Sequence, residues 1–511
     1  MHHSCGEKIS GLPNPGGCKG VNVMMKAVEG LKPEGLWRYF HEISLIPRES
    51  RHEGRIREYI AGEAGRLGLR HAVDRAGNIV VYKPGGRSGR AVILQSHMDM
   101  VCEKDEGTLH DFQKDPIRLV RSGDWIGTQG TTLGADNGIG VAAMLALMED
   151  PSTAHPDLEL LFTIDEETGL TGANLLDTDL LSGRTLINLD SEEDGVFIIG
   201  CAGGRSTHLS LDVSFQDNRE DLVPVLVKVT DLTGGHSGTD IHRGRGNAVK
   251  LLARFLKDMP PTTPFHLASF SGGSKHNVIP REAQAGILVR REDIGSLREL
   301  ADRVTVVFHG ELSGIDDGVK VLLQEEDPAP ARQAAAPEDA ARLLDLVHAL
   351  PHGVMSMNPS MEGLVITSTN LAVCRFAGQR FDILTSQRSI YTSSLRDVSE
   401  MIASIARLAG ARAEKLHDYP AWRPDMDSEV LDISRRVYTG LFGEEPRVEV
   451  IHAGLECAVF AEKMPGLDMI SLGPTIEQAH SPSERVLVPT VEKMWVLLTA
   501  LLNRLADRPA A

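Results

Sequence analysis

The sequence predicts an α/β protein in which a mixed, largely parallel sheet layer is split along the chain by an inserted α+β domain made of two similar halves. Two observations predict the layer. Short apolar runs of strand length alternate with helical spacing over residues 31–203, and the alternation resumes over residues 424–511. The third observation is the stretch between them, residues 204–423, where strands come in pairs before a helix.

Residues 35–46 and 52–67 carry apolar positions at helical spacing, and residues 78–83 and 91–96 are short apolar strands. Residues 138–148, rich in Ala, Met and Leu, read as a helix, and residues 157–164 and 184–189 as strands. The insertion runs strand, strand, helix, strand, strand, helix, strand, until Glu325-Glu326-Asp327-Pro328-Ala329-Pro330 breaks the pattern. A helix (337–350), strands (364–376 and 380–391), a helix (397–409) and a strand (411–417) then roughly repeat that order. The layer returns with a helix at 427–441, an extended piece at 449–451, a helix at 455–463, a strand at 468–472 and a closing helix at 489–505. Residues 1–30, rich in Gly and Pro, read as a structureless extension, with Met24 or Met25 as alternative starts.

A length of 511 residues favours more than one domain, and 41% apolar with 24% charged residues is the balance of a globular protein. The net charge of -18 argues against nucleic acid or an anionic membrane as partner. No apolar run approaches the ~20 residues that a membrane span needs, and no secretory signal pattern is found. Six scattered cysteines without a C-x-x-C pair read as reduced thiols, which points to the cytoplasm.

Five segments bring a histidine or carboxylate to the place where a predicted strand ends: His97-Met98-Asp99, Gly134-Ala135-Asp136-Asn137-Gly138, Asp165-Glu166-Glu167, Asn188-Leu189-Asp190 and Ala479-His480-Ser481. Open α/β sheets place their chemistry just beyond the carboxyl ends of strands. Imidazole nitrogen and carboxylate oxygen form the ligand set of zinc, and also suit manganese and cobalt. A two-metal hydrolytic site, with ions ~3.5–4 Å apart, needs a bridging carboxylate and a pair of further ligands per ion. Asp136, in a glycine-rich loop at the start of a helix, is the natural bridge. His97, Glu167, Asp190 and His480 complete the set. Asp99 follows His97 by two residues, suited to fix the imidazole tautomer. Glu166, leaving the chain opposite to Glu167, is placed to act as general base. Gly134, Gly138 and Gly140 do not form G-x-G-x-x-G, and Asp136 would repel a pyrophosphate, which argues against a dinucleotide loop. His452 and Glu456 lie four apart, so that on a helix they share a face, suited either to a substrate's amino end or to supporting other site residues.

Several of these segments carry a resemblance. His97-Met98-Asp99-Met100-Val101-Cys102, Thr131-Thr132-Leu133-Gly134-Ala135-Asp136-Asn137-Gly138, Asp165-Glu166-Glu167-Thr168-Gly169, His452-Ala453-Gly454-Leu455-Glu456-Cys457 and the late His480 resemble the co-catalytic metallopeptidases that include carnosinases, aminoacylases and peptidase T. Within them the chain is most similar to the aminoacyl-histidine dipeptidases, over about residues 35–505. The resemblance implies two divalent ions, zinc first with manganese or cobalt as alternatives, and small dipeptides as substrates. It implies a catalytic domain formed by 31–203 and 424–511 and a lid formed by 204–423. It also implies that His236, in Thr233-Gly234-Gly235-His236-Ser237-Gly238, stabilises the oxyanion, and that Asn277 and Arg388 hold the substrate's carboxylate. Glu456 joins them as a substrate contact. An N-acyl-amino-acid amidohydrolase and a catalytically silent binding protein of the same fold are the competing readings. The choice between monomer and homodimer is open.

Overall fold

The computed structural model describes residues 26–85, 90–217, 221–325, 333–359 and 363–507. The extension expected over residues 1–30 falls outside the described residues up to residue 25, as does the pattern break at residues 326–330. The chain divides into two compact units. The first comprises residues 1–197, 429–447 and 468–511, and the second residues 198–428 and 448–467. Residues 448–467, grouped with the sheet layer on sequence, thus cluster with the second unit.

In the first unit the sheet order is Arg70–Val73, Ile79–Lys83, Leu158–Thr163, Val92–His97, Thr185–Asn188, Asp468–Ser471. The central pairs are parallel, and the first two strands add on antiparallel. Val92–His97, Leu158–Thr163 and Thr185–Asn188 are buried at every position. That is why they read as continuous apolar runs rather than alternating ones. The Ala135–Glu149 helix is buried from Ala135 to Met148, as its all-round apolar composition demands. The Glu34–Ser44 helix packs against it and buries Leu36, Trp37, Phe40 and Ile43, and Trp37 meets Phe40 edge-on at 5.9 Å between ring centres. A separate antiparallel sheet joins Ile476–Glu477, Arg485–Leu487, Trp125–Gly127 and Val120–Ser122.

The second unit is built on an antiparallel sheet in the order Lys320–Glu325, Leu222–Thr230, Ala283–Arg290, His266–Gly272, Val365–Ala377, Arg380–Ser389, Gly203–Asp212, Arg412–Tyr419. The helices Ala248–Lys257, Ile294–Glu311, Pro337–Ala349 and Thr392–Leu408 supply residues to one apolar core with these strands. Among the described residues no helix is long and apolar enough to cross a membrane.

Candidate metal centre

Register explains why distant residues meet. Val92–His97 lies between Leu158–Thr163 and Thr185–Asn188, with His97 opposite Thr163 and Gln95 opposite Asn188. Val92–His97 and Leu158–Thr163 therefore end level, Thr185–Asn188 ends two residues earlier, and His97, the Asp165–Glu167 turn and Asp190 emerge at one edge. One step below that edge a buried chain of side chains crosses four strands. Gln95 Nε2 donates to Thr163 Oγ1 at 3.0 Å, Asn188 Nδ2 donates to Gln95 Oε1 at 2.6 Å, and Ser471 Oγ donates to Asn188 Oδ1. Asn188 Oδ1 also accepts the Asp190 N–H at 3.2 Å.

At the edge, His97 Nε2 stands 3.2 Å from Asp136 Oδ1 and 3.2 Å from Asp190 Oδ1. His480 Nε2 stands 3.0 Å from Asp136 Oδ2 and 3.0 Å from Glu167 Oε2. Asp136 thus presents one oxygen to each imidazole, with Asp190 on the His97 side and Glu167 on the His480 side. The His97 side chain is 1% exposed and that of His480 53%, so the cluster opens to solvent on one side only. Ligand-type atoms of His97, Asp136 and Glu167 all lie within 4.8 Å of one another.

The electrostatics follow from crowding three carboxylates against two imidazoles. Burial raises the Asp136 carboxyl, but His480 and His97 outweigh it and hold the group below the usual carboxylate range. Burial, aided by the Asp136 charge, pushes Glu167 up to about 7, and burial also raises Asp190. Burial lowers His480, yet the Asp136 and Glu167 carboxylates push it to about 11. Glu167 Oε1 is buried with no hydrogen-bond partner among the described residues. An orphaned carboxylate oxygen inside an oxygen and nitrogen donor set is what divalent zinc would satisfy, so these residues fit such an ion.

Asp99 is the hub behind this cluster. Its Oδ1 lies 3.4 Å from His97 Nδ1 and accepts the Glu166 N–H at 3.1 Å. Its Oδ2 accepts the Glu167 N–H at 3.2 Å and the Ser50 hydroxyl at 2.8 Å. One carboxylate thereby fixes the backbone that carries both glutamates and stands against the imidazole. Asp165, at φ 46°, shapes the same turn: it accepts from the Thr168 and Thr171 hydroxyls, and its N–H reaches Glu53 Oε1 at 2.9 Å.

Two residues that sequence reasoning missed hold the Asp136 loop. Glu484, 3% exposed, accepts the N–H groups of Leu133, Gly134, Ala135 and Asp136 at 2.8, 2.9, 2.7 and 3.3 Å. The buried Arg48 donates to the carbonyls of Met98 and Asp99 at 3.1 and 2.9 Å, and to that of Gly134. Gly134 is at φ 70°, and a Cβ there would lie 2.5 Å from the Arg48 guanidinium, so the loop needs glycine. Asp136 and Asn137 keep non-helical backbone angles, leaving the regular helix to begin after them. The only sequence signal for Glu484 is Ser481-x-x-Glu484, which reads as a local capping box.

His236, Asn277, Arg388, His452 and Glu456 belong to the second unit. His236 pairs with Val278, and the Ser237 N–H donates to the Asn277 carbonyl at 2.8 Å, so His236 and Asn277 are neighbours. His236 Nδ1 accepts the N–H groups of Gly238 and Thr239 at 3.3 and 3.2 Å. An accepting Nδ1 fixes the neutral tautomer with its proton on Nε2. Arg388 is buried and donates to the Tyr419 hydroxyl at 2.8 Å, and its Nε has no partner among the described residues. His452 is not on a helix with Glu456, contrary to the shared-face expectation. The helix starts at Glu456, and His452 sits in the bend after Arg447–Ile451. Gly454 intervenes: a Cβ there would lie 2.8 Å from the Tyr419 ring. His452 Nε2 instead lies 2.7 Å from the Ser368 hydroxyl, and Ser368 is the cross-strand partner of Arg388. Burial, then the Arg388 charge, pushes His452 down to about 3, so it is neutral. Glu456 is fully buried.

Comparison with known proteins adds the lineage. The chain is 39% identical to the cytosol non-specific dipeptidase of Escherichia coli (strain K12), over 94% of this chain and 99% of that one. It superposes on the crystal structure of aminoacylhistidine dipeptidase from Vibrio alginolyticus with a TM-score of 0.82, at 40% identity, covering 95% of this chain and 98% of that one. The aminopeptidase PepT structure from Bacillus cereus shares the fold, with a TM-score of 0.54 at 16% identity over 93% of this chain and 100% of that one. Residues 93–504 match the description Peptidase family M20/M25/M40. The chain belongs to that peptidase family and is a hydrolase of peptide bonds.

Proposed function

We propose that this protein is a metal-dependent dipeptidase that cleaves aminoacyl-histidine and related dipeptides in the cytoplasm. The observation that carries the reading is Asp136, whose two oxygens face two different imidazoles at 3.2 and 3.0 Å. That arrangement sorts the ligands into two sets that share one carboxylate: His97 and Asp190, and Glu167 and His480. Zinc fits this set, and manganese or cobalt would fit it too. When bound, two such ions polarise the scissile carbonyl and acidify a water molecule.

The remaining roles fall to side chains. Glu166, tethered through its N–H to Asp99, takes the water's proton and passes it to the leaving amine. Asp99 keeps the His97 proton on Nδ1, leaving Nε2 free to bind metal. His236, with its proton on Nε2, donates to the oxyanion. Arg388, with no carboxylate among its hydrogen-bond partners in the described residues, and Asn277 hold the substrate's carboxylate, and Glu456 contacts the substrate. The second unit acts as a lid of two similar halves. Its sheet supports this division, because four strands lie on each side of the junction between His266–Gly272 and Val365–Ala377. The names of the two relatives, a cytosol non-specific dipeptidase and an aminoacylhistidine dipeptidase, frame the substrate range.

The test is a panel of dipeptides, with and without C-terminal histidine, against N-acetyl amino acids, with zinc, manganese or cobalt added to metal-free protein. Cleavage of the dipeptides only when metal is present is expected. Preference for the N-acetyl compounds would make the protein an amidohydrolase, and no turnover with any ion would make it a binding protein.

A further inference from the structure

We propose that Glu484 is a positioning residue for the bridging carboxylate: it locks the Leu133–Asp136 backbone, and it does so from the segment that supplies His480. The inference rests on the two-metal reading of the site. Glu484 Oε2 takes the Leu133 and Gly134 N–H groups at 2.8 and 2.9 Å, and Oε1 takes those of Ala135 and Asp136 at 2.7 and 3.3 Å. Four successive donors converging on one buried carboxylate leave the loop a single conformation, because any peptide rotation strands an N–H away from water. Arg48 closes the other side through the Gly134 carbonyl. Asp136 sits at the end of this clamp, so its two oxygens are aimed before any ion arrives.

The clamp also ties two ligands together. His480 takes φ 63° and Gln478 φ 57°, and the turn they shape is closed by the Ser481 hydroxyl on the Gln478 carbonyl at 2.8 Å. The Glu484 N–H returns to the Ser481 carbonyl at 3.0 Å. The 478–484 turn therefore delivers His480 to Asp136 Oδ2 and the Glu484 carboxylate to the Asp136 N–H, as one rigid piece. Glu484 touches neither the proposed ions nor substrate. Its effect passes entirely through Asp136 and His480.

Glu484→Gln is the informative change. An amide keeps one acceptor and turns the other into a donor, so one of the two N–H pairs faces an NH2 group. Zinc affinity, read by competition with a chromophoric chelator on metal-free protein, is expected to fall ~10–100-fold, the usual loss for a partner behind the ligands. Amide exchange at 133–136 in the metal-free variant is expected to quicken while the Val92–His97 strand stays protected. A variant that binds zinc like the wild type, even with a lowered melting temperature, makes Glu484 merely structural and overturns the proposal. Wild-type protein that binds no ions overturns the metal-centre reading and this inference with it. Should the variant not fold, the metal-free wild type decides: amides 133–136 must already be protected, and exchange at the rate of exposed loops overturns the clamp.

Discussion

Asp99→Asn alters one atom of the site and strikes three of its parts. Both oxygens of Asp99 are engaged, Oδ1 by His97 Nδ1 at 3.4 Å and the Glu166 N–H at 3.1 Å, Oδ2 by the Glu167 N–H at 3.2 Å and the Ser50 hydroxyl at 2.8 Å. If the new NH2 takes the Oδ2 place, the Ser50 hydroxyl can turn to accept, but the Glu167 N–H then faces a donor. If it takes the Oδ1 place, the Glu166 N–H loses its acceptor and His97 must accept on Nδ1. That moves the imidazole proton to Nε2, the nitrogen that faces Asp136 and Asp190. Either way one half-buried N–H is stranded beside buried Asp99, at a cost of about 1–3 kcal/mol. Taking about 2 kcal/mol, ligand geometry weakens by ~30-fold in metal affinity. Chelator competition measures the affinity, and turnover at saturating zinc measures what remains once the ions are forced in. Affinity within about twofold of wild type, with turnover unchanged, would refute both the tautomer argument and the hub role, since the worked loss is more than tenfold.

Glu166→Gln should keep its ions by metal analysis while turnover falls ~10²–10⁴-fold, the range for a lost general base; near-normal turnover at full occupancy would put the base elsewhere. His236→Ala should lower turnover ~10²–10³-fold and move the Michaelis constant far less; a steep rise in that constant at unchanged turnover would make His236 a substrate anchor. Metal loading should release protons. In the metal-free protein His480 is pushed to about 11 and His97 well above its ordinary value, so both favour the protonated form, which must lose a proton to ligate. Calorimetry in buffers of different ionisation enthalpy should find protons released on loading near pH 7, from both imidazoles and in part from Glu167, whose carboxyl is pushed up to about 7, and affinity should rise with pH; loading without proton release would mean these imidazoles are not ligands. Arg388→Ala should weaken kcat/KM for substrates with a free carboxylate by ~10–100-fold, with Arg388→Lys failing to restore it, and equal loss on carboxamide analogues would remove Arg388 from carboxylate binding.

His97, Glu167 and Asp190 were legible as candidates because they stand at or just past the ends of buried strands, where period and burial leave a strong local trace. His97 closes an all-buried strand, and Asp190 follows Asn188 by two residues. Glu484 and Arg48 left no such trace. Their partners are backbone groups, which have no residue identity to read, and those of Glu484 lie some 350 positions earlier in the chain. The Ser481-x-x-Glu484 pattern points to the wrong helix, since Glu484 serves the loop before the Ala135–Glu149 helix instead of its own segment. The helix containing Glu456 was legible to within one residue of its start, but the place of His452 outside it was not, because the close approach of Gly454 to Tyr419 is tertiary. For the same reason the grouping of residues 448–467 with the second unit had no signal in the local pattern.

The side-chain chain from Thr163 through Gln95 and Asn188 to Ser471 bears on how the enzyme is handled and supplied with metal. Small zinc domains unravel when stripped, because nothing but the ion gathers their ligands. Here the four strands are stitched together beneath the ligands by buried amides and hydroxyls, so the edge is assembled by the polypeptide. Demetallation should then be reversible, with secondary structure retained under chelator by circular dichroism and activity regained on reloading. An exchange of one ion for another should then retune the chemistry without refolding the protein, since zinc, manganese and cobalt all suit this donor set.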